Sequence, residues 1–76
     1  APGDPRAWNN LAYALLQIDC VAEAQQAAAC AVALAPDDPG YLETRKEIAA
    51  LAAVIPSQAL QCAPLRCAAI PETVQE

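Results

Sequence analysis

Between Pro5 and Pro39 the apolar residues recur with the period of a helix, and a Pro-Asp-Asp-Pro stop closes the pattern. Trp8, Leu11, Ala12, Leu15 and Ile18 fall at i, i+3, i+4, i+7 and i+10, the stripe of one amphipathic helix. Arg6, Asn9, Asn10, Tyr13 and Gln17 occupy its other side. Asp4 is placed as an N-cap and Pro5 as the first helical residue, where a missing N–H costs nothing. Asp19 and Cys20 then read as a tight turn. Val21 opens a second helix whose Ala24, Ala27, Ala28, Ala31 and Leu34 share a face small enough for two backbones to approach closely. Pro36 cannot continue that helix, and the aspartates before Pro39 cap a third. The pattern predicts an all-α chain with helices over 5–18, 21–35 and 39–54, the first two forming an αα-hairpin.

Composition limits what can hold such helices together. Hydrophobic residues make up 57% of the 76, but much of that is alanine, which favours helix while burying little area. The only aromatics are Trp8, Tyr13 and Tyr41, so Trp8 is the expected anchor of the hairpin core. A chain this short sits near the size at which one core barely offsets its ordering entropy.

Trp8, Leu11, Ala12 and Leu15, followed by Ala24, Ala28 and Pro36, resemble the tetratricopeptide repeat (TPR), a helix-turn-helix unit of about 34 residues with the pattern W-x2-L-G-x2-Y, A-x3-F and P. Three positions depart: Ala12 stands for the glycine, Leu15 for the tyrosine and Ala28 for the large aromatic, which implies thinner packing. The resemblance covers 5–38. It implies a TPR-like antiparallel helical hairpin, preceded by a lead-in at 1–4 and followed by a capping helix at 39–55. Arg45 and Lys46 fall where a next repeat would need a buried leucine and a small residue, hence a cap. The third helix otherwise presents Tyr41, Ile48, Leu51 and Ile55 on one side, with Glu43, Lys46 and Glu47 elsewhere.

The tail, 56–76, is punctuated by Pro56, Pro64 and Pro71, leaving room for one short helix over 57–62. Leu60, Leu65 and Ile70 make it too apolar for a free linker, so it is expected to pack back on the repeat. Cys20 and Cys30 are separated by roughly 15 Å along a helix, too far to bond to each other. Cys62 and Cys67 span about 16 Å if extended, a matching separation. A third helix descending toward Cys20 favours Cys20 with Cys62 and Cys30 with Cys67. A local Cys62–Cys67 loop and four reduced cysteines stay open as alternatives. Spacings of this kind supply neither the paired C-x2-C knuckles of a zinc site nor a redox C-x-x-C, so no metal and no cofactor is expected.

Nine acidic against four basic residues give a net charge of −5, which disfavours nucleic acid and anionic lipid as partners. The longest apolar runs fall far short of the roughly 20 residues that span a bilayer, so no membrane insertion is expected. With no histidine, a single serine at Ser57 and no glycine-rich phosphate loop, no catalytic residue suggests itself and the chain reads as no enzyme. An opening Ala1-Pro2-Gly3-Asp4 without methionine fits a processed export signal and excision from a longer protein equally, while four cysteines favour a secreted or periplasmic protein; the alternative is a cytoplasmic fragment of a longer protein.

The resemblance implies binding through the face of the first helices, where Arg6, Asn9, Tyr13, Leu16 and Gln17 would be joined by Glu43 and Glu47. Family members that clamp a terminal carboxylate carry lysine and asparagine where this chain has Asn9 and Tyr13, so that activity does not transfer. Ordinary solvated helix surface is the plain alternative for these residues. Repeats of this type need neighbours. An apolar edge around Ala12, Leu16 and the alanine face of the second helix would seek one. The expected function is therefore protein–protein interaction, as a subunit of a self-stacking assembly or filament, with a peptide-binding scaffold fragment as the alternative.

Overall fold

The computed structural model describes residues 3–54 together with Cys62 and Cys67. Three helices follow one another, α1 (Pro5–Gln17), α2 (Val21–Leu34) and α3 (Pro39–Val54), and no strand occurs among the described residues. The short helix expected over 57–62, the side chains of Ile55, Leu60, Leu65 and Ile70, and most of the tail lie outside them.

Each helix boundary has a local cause. Asp4 accepts a hydrogen bond from the Arg6 backbone N–H at 2.9 Å and Pro5 follows as the first helical residue. Asp38 and Pro39 repeat the device at α3, where Asp38 Oδ1 accepts from the Gly40 N–H at 2.8 Å. The end of α1 is a Schellman turn: the Cys20 N–H reaches back to the Leu15 carbonyl at 2.9 Å and the Asp19 N–H to the Leu16 carbonyl at 3.1 Å. That geometry puts Asp19 in the left-handed region, at φ 66°, where glycine is the usual occupant. Helix α2 stops because Ala35 precedes a proline and has left the helical region, at φ −140° and ψ 70°, its N–H still bonded to the Ala31 carbonyl at 3.0 Å.

Helix α2 is central. It packs against α1 on one side and α3 on another, while α1 and α3 scarcely meet. A helix with two neighbours must be apolar around much of its circumference. Val21, Ala24, Ala27, Ala28, Cys30, Ala31 and Val32 are accordingly buried, and small side chains let both neighbours come close. Trp8, Ala12 and Ile48 complete the core, with Leu11, Leu15, Leu16 and Tyr41 packed at its margin. Trp8 is 6% exposed; burying an aromatic of this size removes enough surface to contribute roughly 4–6 kcal/mol, far more than any alanine here.

Four expectations need correction. Helix α1 ends at Gln17 and α2 at Leu34, each one residue short, because the Schellman turn and Pro36 claim the next residue. Ile18 is 62% exposed: as the C-cap it has left the helical register and no longer follows the Trp8 stripe. Leu34 is also exposed, on the last residue of α2 beyond the reach of either neighbour. Ala12, Ala24, Ala27, Ala28 and Ala31 are fully buried inside the chain, so they form no apolar edge for a further copy to cover.

Candidate interaction surfaces

Two disulfides tie the tail to α2. Cys20, the N-cap of α2, is bonded to Cys62 with Cα atoms 5.8 Å apart, and Cys30 to Cys67 with Cα atoms 5.5 Å apart. This is the pairing that the matched separations favour. Its sulfur committed to that bond, Cys20 caps no backbone N–H, and Glu23 supplies the favourable negative charge in the first turn instead. Cys30 is completely buried and Cys67 packs against the same core, so the second bond passes through the interior. Donor atoms of Cys20, Glu23 and Cys62 gather within 4.8 Å of one another. Bonded sulfurs carry no thiolate charge, however, which leaves Glu23 as the one strong cation ligand of the three.

The seven residues expected on the binding face are split by the fold. Tyr13 and Glu47 are brought together: the Tyr13 hydroxyl donates to Glu47 Oε1 at 3.1 Å and lies 3.4 Å from Thr44 Oγ1. The Thr44 hydroxyl donates in turn to the Gly40 carbonyl one turn back, at 3.1 Å. This short chain of polar contacts joins α1 to α3. Thr44 is buried, and neither its burial nor its contact was visible in the sequence, since a threonine between Glu43 and Arg45 reads as surface.

Arg6 is occupied locally, its guanidinium 3.5 Å from the Asp4 carboxylate in an exposed pair. The Arg6 backbone N–H, and after it the Arg6 side chain, hold the Asp4 carboxyl below its usual range. Asn9 is half-buried and its Oδ1 is buried without a hydrogen-bond partner. Leu16 is half-buried against the core, and Gln17 and Glu43 are exposed with no side-chain hydrogen bond among the described residues.

A second surface has no counterpart in the sequence pattern. Gln25 and Ala29 of α2, with Leu42, Arg45, Lys46 and Ala49 of α3, line an open groove of about 600 Å³. Helix α3 thus has three sides. Tyr41, Thr44 and Ile48 face the core, Glu43 and Glu47 share a second side, and Leu42, Arg45, Lys46 and Ala49 form the groove wall at i, i+3, i+4 and i+7. The sequence marks Arg45 and Lys46 only as a wet capping face; the neighbouring α2 turns that face into a concave one.

No described helix is long and apolar enough to cross a membrane. Comparison with protein-family models, with curated proteins and with solved structures finds no match.

Proposed function

We propose that this chain is a non-catalytic protein–protein interaction module, a TPR-like helical hairpin with a capping helix, working in an oxidising compartment outside the cytoplasm. The observation that carries this reading is the pair of disulfides fastening the tail to α2, one at its N-cap and one at Cys30 within the helix. Disulfides persist where thiols are not kept reduced, and they suit a small chain whose alanine core stabilises little. What they hold in place is a rigid three-helix unit with solvated faces. The net charge of −5 favours protein over nucleic acid or anionic lipid as the partner.

Between the two forms of this reading, binding of a peptide segment has more support than stacking of copies. Of the edge around Ala12, Leu16 and the α2 alanines on which stacking depends, the alanines are buried within the chain and only Leu16 is partly exposed. The test is selection of displayed peptides on the oxidised protein, followed by calorimetric titration. Enriched peptides are expected to bind and to lose binding when both disulfides are reduced. Lack of enrichment over the reduced protein overturns the proposal. Light scattering separates the two forms, since the peptide-binding form is expected at 7.9 kDa and a filament subunit is not.

A further inference from the structure

We infer that the groove between α2 and α3 is a docking site for an acidic amphipathic helix of a partner protein. The inference rests on the interaction reading above and names where that reading acts and what it recognises. Three observations carry it: the shape of the groove, its charge, and the charge of the rest of the chain.

The groove lies between two helices. Its α3 wall covers positions i to i+7, about 10 Å of helix axis, or two turns. Gln25 and Ala29 lie one turn apart on the facing helix. Small side chains at Ala29 and Ala49 leave room for a partner's backbone, and Leu42, 36% exposed, offers an apolar contact already at the surface. A third helix laid along this trough would place side chains at i, i+3, i+4 and i+7 on the Ala29–Leu42–Ala49 floor, the way grooves of this shape recognise helices.

Arg45 and Lys46 are two of only four cations in the chain, and both stand on this groove. Among the described residues no carboxylate lines it and neither cation meets one, the one ion pair there being Arg6 with Asp4. The Arg45 guanidinium can grip a carboxylate with two parallel N–H donors, and Lys46 provides a point charge beside it. Elsewhere the chain is strongly acidic. An acidic partner is therefore repelled from the rest of the surface and drawn to this trough, which sets register as well as speed of encounter.

The test uses the oxidised full chain and a designed amphipathic peptide about four turns long, with alanine and leucine on one face and glutamates flanking it. A twin peptide has each glutamate replaced by glutamine. The glutamate peptide is expected to bind, the glutamine twin at least about tenfold more weakly, and raised salt should weaken the first far more than the second. Arg45→Glu with Lys46→Glu should abolish binding. Ala29→Trp, which fills the trough without changing its charge, should weaken it. All these positions are exposed, and circular dichroism of each variant checks that it folds.

Equal binding of the two peptides, or binding indifferent to the groove variants, overturns the inference. If peptides selected on the whole protein bind but are lost in Tyr13→Phe and not in the groove variants, the inference fails while the interaction reading stands. Self-association that Arg45→Glu with Lys46→Glu abolishes would assign the groove to a second copy and overturn the acidic partner. If no peptide of any kind binds the oxidised chain, both fail together.

Discussion

Removing one disulfide should cost nearly as much as removing the other, and removing both should unfold the chain. The bonds span 42 and 37 residues of sequence, but the loops interlock. With either bond intact, the other closes only a ring of about 16 residues, made of the 20–30 and 62–67 segments, and contributes about 3 kcal/mol by loop-closure entropy. The last remaining bond closes a loop of about 40 residues and contributes about 4 kcal/mol. The pair together contributes about 7 kcal/mol, comparable with the whole stability of a small domain.

Cys20→Ala with Cys62→Ala, and Cys30→Ala with Cys67→Ala, should therefore each lower Tm by about 12–24 °C, at roughly 4–8 °C per kcal/mol for a chain of this size. The second pair should fall slightly further, because Cys30 is fully buried and its truncation leaves a small void. Thermal melts by far-ultraviolet circular dichroism without reductant measure this. Two results would refute the reasoning: a single-bond variant whose Tm stays within a few degrees of the parent, or a chain lacking all four sulfurs that melts no lower than a chain lacking two.

Trp8→Ala should destabilise by about 3–5 kcal/mol, since the alanines of the same core cluster are too small to fill the space; an unchanged urea midpoint would contradict its place as the anchor. Asp19→Gly should stabilise by about 1 kcal/mol by relieving the left-handed backbone of the Schellman turn, read as a rise in Tm. Ile48→Ala, truncating the largest fully buried side chain, should cost about 2–5 kcal/mol and loosen α3 from α2. The Asp4 cap is linked to pH: its carboxyl is depressed in the folded chain, so its contribution is fully present above the ordinary aspartate pKa and is lost as pH falls through the lowered folded value. The protection of the Arg6 amide, its exchange taken relative to the unstructured rate at each pH, should fall over that acid range, and Asp4→Asn should make that protection independent of pH.

Helix number and helix starts were determined by the sequence itself, because each depends on residues a few positions apart, whereas α1 and α2 each end one residue before the periodic pattern does. Asp4-Pro5 and Asp38-Pro39 start helices by satisfying or omitting N–H groups within one turn, and Pro36 ends one by restricting Ala35. The burial of Trp8, Ala12 and Ala24 was legible for the same reason, as periodicity is a local property. The candidate surface was legible only in fragments. Tyr13 and Glu47 lie 34 residues apart, and nothing near either one in sequence specifies that their side chains meet over Thr44.

Only the tertiary structure decided which solvent-facing residues share a surface. Arg45 and Lys46 are plain surface cations in the sequence, and they line a groove because α2 lies beside α3 and sets Gln25 and Ala29 opposite them. Ile18 and Leu34 are apolar yet exposed, since burial depends on whether another helix reaches that point. Local rules fix where a helix begins and ends; which of its sides meets protein and which meets water is fixed by the placement of its neighbours, a relation between residues far apart in the chain.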